Sequence, residues 1–135
     1  MVSPFVKLIA FCAVTGGGLA QAENLPGSEW EPTELGSETF HPVAEIFLRF
    51  GPDSRYFGNG GCNMFRGAFV TNGSAILLGP AAATMMACPD DISRQEFAFL
   101  DALMTVREFE RAGATLMLMN ATGDKVLALR QRDAD

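Results

Sequence analysis

Polar and apolar residues alternate over several short stretches of the chain, and the period lengthens to that of a helix once. Residues 45–50 (EIFLRF) put Ile46, Leu48 and Phe50 on one face, the pattern of a half-buried strand. Gly51-Pro52-Asp53 follows as a turn. Short strands are predicted around Trp30 and over 55–58, 67–71 and 75–78, with Asn72-Gly73 joining the last two as the clearest hairpin signal. Gly79-Pro80 ends that hairpin. Residues 93–105 read as the one helix. Ser93 and Glu96 have the spacing of a capping box, Asp90 and Asp91 precede them as a solvated helix start, and Phe97, Leu100, Leu103 and Met104 fall on one apolar face. Strands return at 107–111, 115–119 and 126–130, separated by Ala112-Gly113 and Thr122-Gly123-Asp124.

These connections are too short for parallel crossovers, which need a dozen residues or more. The expected class is therefore α+β. It is mostly antiparallel, with about seven strands in a strongly curved sheet or partly closed barrel, and one main helix at about 93–105 plugging an end. Closure would remove sticky sheet edges. Whether the barrel interior is filled by side chains or left open decides between surface contacts and a small-molecule cavity.

The first 22 residues read differently. Lys7 opens a positive start. Residues 8–14 are apolar but too few for a permanent span. Gly16, Gly17 and Gly18 break the run, and Ala20-Gln21-Ala22 offers the small-x-small pattern of signal peptidase cleavage. The expectation is a cleaved signal peptide over 1–22 and a single domain over 23–135, exported and periplasmic. Removing 22 of the 135 residues leaves 113, and losing Lys7 moves the net charge from −6 to −7. An acidic chain of this kind carries no basic footprint for nucleic acid, and no further stretch is long enough to be a transmembrane segment.

Cys12 leaves with the leader, and Phe11 before it is too large for a lipid-attachment site. Cys62 and Cys88 remain. Two cysteines in an exported chain allow one disulfide, and its loop-closure entropy would contribute about 3.5 kcal/mol. The alternative is two free buried thiols. The absence of a C-x-x-C argues against thioredoxin-like chemistry.

Residues 60–69 (GGCNMFRGAF) resemble the G-C-N-x-F-x-G-x-aromatic motif of the META domain family, the HslJ-like heat-shock proteins. Residues 78–89 (LGPAAATMMACP) resemble its second block. Glu96, Phe97, Leu100 and Leu103 are similar to its helix, and Trp30 to its early tryptophan; the likeness spans about 28–130. Met64 and Met85 stand where the family commonly carries basic residues. The resemblance implies a small antiparallel barrel with a helix and an association with heat stress and antibiotic tolerance, and it supplies no chemistry. The motif itself reads as structural. Gly58, Gly60, Gly61 and Gly67 suit a bulge or close backbone approach, Asn63 can satisfy backbone groups through its amide, and Phe65 and Phe69 face inward. Thr84 closes a hydrogen bond on the partner segment, and the cysteines fasten the blocks together. The rival reading makes this corner the lining of a ligand pocket.

Catalytic readings are weak. There is no G-x-S-x-G, Gly58-x-Gly60 lacks a third glycine, Asp90-Asp91 lacks the other ligands of a calcium loop, and the single histidine, His41, reads as an exposed loop residue. Asn72-Gly73-Ser74 and Asn120-Ala121-Thr122 are formal glycosylation sequons read as turns. Met117 and Met119 share a strand face and raise a remote Cu(I)-binding alternative. The expectation is a non-catalytic, stress-associated envelope module with no cofactor or metal, binding an unknown protein or a small apolar ligand. The alternative is a secreted partner-binding or inhibitor module acting through a loop such as 51–61.

Overall fold

The structure, a computed structural model, describes residues 25–41 and 45–132. The expected leader, with Lys7 and Cys12, lies outside the described residues. In chain order the elements are β1 (Ser28–Leu35), β2 (Glu38–Thr39), β3 (Phe47–Phe50), β4 (Arg55–Asn59), β5 (Met64–Asn72), β6 (Ala75–Leu78), β7 (Ala82–Ala83), α1 (Asp90–Thr105), β8 (Val106–Ala112), β9 (Thr115–Asn120) and β10 (Lys125–Gln131). Every strand pairing is antiparallel. The order β1-β3-β4-β5-β6-β8-β9-β10 returns to β1, so eight strands form a closed barrel, with β2 and β7 added outside the ring. The expected class holds, and the described residues form ten strands where about seven were expected. The two extra pieces, β2 and β7, are two residues each and leave no periodic trace.

Hairpin chemistry behaves as read. Gly73, Gly113 and Gly123 all take positive φ at the turns joining β5–β6, β8–β9 and β9–β10. In the last of these Asn120 Oδ1 accepts from the Thr122 and Asp124 N–H groups at 3.1 and 3.0 Å. Alternation places Leu48 and Phe50, Tyr56, Ile76 and Leu78, and Leu116 and Leu118 inward. Ile46 is buried with them. Glu45, however, adopts φ 68 and stands outside the strand, which begins at Phe47. In β8 the buried residues are Val106 and Phe109, three apart; the register shift between Val106 and Glu108 turns the strand by one position.

The inward side chains form one contiguous core around Trp30, Phe50, Tyr56, Phe65, Phe69 and Phe109. The indole N–H of Trp30 donates to Ser28 Oγ at 2.7 Å, so the lone tryptophan is buried without an orphaned donor. The interior is therefore filled. The helix lies at the end where β4 turns into β5 and β8 begins. Phe99 and Leu103 are fully buried there, and Phe99 meets Phe40 and Phe65 edge-on at centroid distances of 5.6 and 5.7 Å.

Two helix expectations need correction. The helix starts at Asp90 rather than 93, with Pro89 at the N-cap and no side-chain cap. Phe97, expected on the core face, is 72% exposed. The buried positions are Glu96, Phe99 and Leu103, so the inward stripe is rotated from the one expected. The rotation follows from Glu96, which is drawn into the protein by the contacts described next.

Candidate functional site

Residues 60–63 form the corner between β4 and β5. Gly61 has φ 118, which a side chain would oppose, and its N–H donates to Asn59 Oδ1 at 2.8 Å. Gly60 N–H donates to the Asn63 carbonyl at 3.0 Å. The resulting bend aims two successive backbone donors at one buried carboxylate. Glu96 Oε2 accepts from Cys62 N–H at 3.0 Å and from Asn63 N–H at 2.6 Å, while Oε1 accepts from Asn63 Nδ2 at 2.8 Å. Glu96 is 6% exposed, and among the described residues no lysine or arginine pairs with it. Hydrogen bonds alone satisfy it, which is what a buried carboxylate requires in the absence of a cation. It packs so closely on Gly60 that a Cβ there would lie 2.6 Å from Glu96 Cγ.

Asn63 carries the network onward. Its Oδ1 accepts from the Thr84 hydroxyl at 2.9 Å and from Met86 N–H at 2.7 Å. Thr84 Oγ1 in turn accepts from Met64 N–H at 3.1 Å, and Thr84 N–H donates to the Met64 carbonyl at 3.0 Å. Cys62 and Cys88 are bonded, with Cα atoms 6.2 Å apart. The segment 84–88 is thus fastened to the corner by one covalent link and several hydrogen bonds, and the helix is fastened to the same corner by Glu96.

The structure brings together five of the residues singled out from sequence: Gly61, Cys62, Asn63, Thr84 and Cys88. Phe65 is buried below them. Gly67 lies further along β5, where a Cβ would come within 2.6 Å of the Tyr56 ring and hydroxyl. The Tyr56 hydroxyl donates to the Gly79 carbonyl at 2.6 Å, and burial pushes its pKa from the usual 10.0 up to about 12. In sequence, the spacing of Glu96 from Ser93 points to a capping box and hides its place at the centre of the corner. In the structure Ser93 Oγ lies 3.4 Å from the Cys88 carbonyl, and the carboxylate turns to the corner instead. The available signal was a carboxylate three residues before Phe99 and seven before Leu103, on the helix's buried face.

Other candidates stay apart from this corner. His41 is exposed, and its backbone N–H and carbonyl both meet the Gln95 amide, at 2.8 and 3.1 Å. Met117 and Met119 are half-buried on the outer side of β9, opposite Ala128 and Lys125 of β10. Among the described residues no group of three or more histidine, cysteine, aspartate or glutamate side chains gathers at a metal-binding spacing. Segment 51–61, expected as a contact loop, has β4 over Arg55–Asn59, an exposed turn at 52–54 before it and the glycine corner at 60–61 after it. No helix among the described residues is long and apolar enough to cross a membrane.

Beside the corner, on the outer face of the barrel, lies an open groove of about 610 Å³. Outward residues of three adjacent strands and their flank line it: Arg55 and Phe57 of β4, Met64 and Arg66 of β5, Ala82 of β7 and Thr84. Register sets its floor. Arg66 stands opposite Phe57 on one side and Ala82 on the other, and Met64 opposite Asn59. Nothing in the sequence marked this groove, because it depends on β7 folding back onto β5.

A closed antiparallel barrel with a filled core, one capping helix and a disulfide-fastened glycine corner defines a small scaffold whose accessible chemistry lies on its outside. The chain belongs to the META domain family, whose pattern matches residues 23–133. No curated protein matches it in sequence. In fold it is similar to a protein from Burkholderia xenovorans solved by NMR, with 20% identity, a TM-score of 0.67, and coverage of 98% of this chain and 99% of that one. It is also similar to a DUF4847 family protein from Bacteroides vulgatus ATCC 8482 solved by crystallography, with 12% identity, a TM-score of 0.61, and coverage of 84% and 98%.

Proposed function

We propose that this protein is an exported, non-catalytic binding module of the cell envelope, periplasmic and active in stress tolerance, and that it works through its outer face. The single observation that carries this reading is the groove beside the corner, set against an interior packed with side chains. A core filled by Trp30, Phe50, Tyr56 and Phe99 leaves the barrel no lumen for a ligand, so contact falls to the surface. Phe57 and Met64 are exposed in the groove itself and Met85 and Met86 are exposed just beyond its Thr84 flank, apolar surface of the kind found at contact sites. The signal-like pattern of residues 1–22 supports export. A disulfide fastening the domain suits an oxidising compartment.

The test uses the full chain expressed in cells whose own copy is deleted. Mass spectrometry of the envelope fraction should find the chain beginning after residue 22, and heat survival should be restored. The double variant Phe57→Glu, Met64→Glu alters only exposed groove residues, so it should accumulate normally yet fail to restore survival. Full rescue by that variant, or a chain retained in the cytoplasm with residues 1–22 attached, would refute the reading.

A further inference from the structure

The groove has a chemical character that narrows what it holds. The chain is acidic, with sixteen carboxylates against ten basic residues, and its cations are mostly spoken for. Arg49 and Arg132 meet Glu29, Arg130 meets Glu31 and Lys125 meets Glu34. Arg107 bonds the Met104 and Val106 carbonyls at 3.1 and 2.7 Å. Arg55 and Arg66 do not follow this pattern. Both are exposed in the groove, and neither makes an ion pair or hydrogen bond among the described residues. Arg55 pairs in register with Ala68 and Arg66 with Phe57, which makes the two arginines diagonal neighbours on one face, close enough for one anion to meet both. The remaining floor is apolar or neutral: Phe57, Met64, Ala82, Ala83 and Thr84. From the Arg55 row to the Asn59–Met64 row is four strand residues, about 13 Å.

We propose that this groove binds a single-chain anionic amphiphile, a carboxylate head on Arg55 and Arg66 with its aliphatic body laid over Phe57, Met64 and Ala82. This rests on the reading of the outer face as the binding surface and names the occupant. Two arginines at diagonal positions on one face offer charge-assisted donors to one carboxylate, and the volume is that of a small-molecule site rather than a protein interface. Without residues 1–22 the net charge is −7, which a whole anionic bilayer surface would meet, whereas a single free amphiphile meets only the local field of Arg55 and Arg66, so the ligand is a free amphiphile rather than a membrane surface. Strand addition by a peptide is disfavoured because β7 presents an edge of only two residues.

The experiment titrates the full processed chain with decanoate, followed by NMR shifts of backbone amides and methionine methyls and by calorimetry. Decyl maltoside and decyltrimethylammonium serve as neutral and cationic controls of the same chain length. Saturable one-to-one binding is expected, with shifts confined to residues 55–57, 64–66 and 82–84. Affinity should fall at least about tenfold in the double variant Arg55→Gln, Arg66→Gln, which removes both charge-assisted contacts, and be unchanged in Arg94→Gln on the exposed side of α1. Absence of saturation, shifts elsewhere, equal affinity for decyl maltoside, or an undiminished double glutamine variant would each overturn the proposal. If decanoate fails while Phe57→Glu, Met64→Glu still abolishes heat survival, the occupant is wrong and the binding face stands. If decanoate binds while that variant rescues fully, the groove is a ligand site without the proposed role in survival.

Discussion

Replacing Glu96 by glutamine tests whether the corner is held by a carboxylate in particular or by any group that fills the space. The two oxygens of Glu96 serve three donors: the backbone N–H groups of Cys62 and Asn63, and the amide of Asn63. Glutamine has one oxygen. If it faces the two backbone donors, its NH2 confronts the Asn63 NH2. If Asn63 flips to accept from it, the Asn63 NH2 then confronts Met86 N–H, which now donates to Oδ1. The mismatch moves through the network without vanishing. A buried donor left without an acceptor costs about 1–3 kcal/mol, so Glu96→Gln should lose about 2 kcal/mol, and Glu96→Ala, which strands two backbone donors, about 3 kcal/mol. For a domain of this size that corresponds to a fall in Tm of roughly 8 and 12 °C. Unfolding in urea or heat can be followed by the fluorescence of Trp30, the single tryptophan and fully buried. A double-mutant cycle with Asn63→Ala should show coupling of at least about 0.5 kcal/mol. A Glu96→Gln variant melting with the parent, or strictly additive effects in the cycle, would refute the account of the corner.

Two further outcomes follow from the same geometry. Cys62→Ser, Cys88→Ser removes a cross-link that closes a loop of sequence separation 26; it should cost about 3.5 kcal/mol in the chain-entropy description, and added reductant should lower the Tm of the parent but not of the variant. Tyr56, with its pKa raised from 10.0 to about 12, is held neutral in the folded state, so its contribution is complete below pH 10 and is lost as pH climbs from 10 to 12; Tyr56→Phe should be about 1 kcal/mol less stable at neutral pH and should flatten that alkaline decline, and an unchanged decline would show that Tyr56 is not its source.

What the chain revealed of itself in advance depended on how local each signal was. Strands such as β3, β6 and β9 alternate cleanly and end at glycine turns, so period and turn chemistry locate them within a residue or two. The helix was visible but its start and its face were not. Phe97, Leu100 and Met104 offer a plausible apolar stripe, and only tertiary contact turns the helix so that Glu96 faces in and Phe97 faces out. A carboxylate on the buried side contradicts hydrophobic periodicity, and its partners are backbone N–H groups more than thirty residues away, which carry no residue-type signature. β2 and β7 were illegible because two residues cannot display a period. The groove was illegible for the same reason, since β7 forms its wall.

The corner and the groove are one piece of architecture. The hydrogen bonds between Met64 and Thr84 that finish the corner also seat β7 against β5, and Met64, Ala82 and Thr84 are groove residues. The floor is held separately by the five paired positions of β4 and β5, from Arg55–Ala68 to Asn59–Met64. A wall made only of the exposed residues 82–86 would be mobile by itself and would have to be ordered whenever a ligand arrived, at a cost in side-chain and backbone freedom. Asn63, Thr84 and the disulfide meet that cost during folding. On the proposed binding role, the glycine corner, structural by every contact it makes, would have a functional consequence: it holds residues 82–86 in place beside Arg55 and Arg66, which have no ion-pair partner among the described residues.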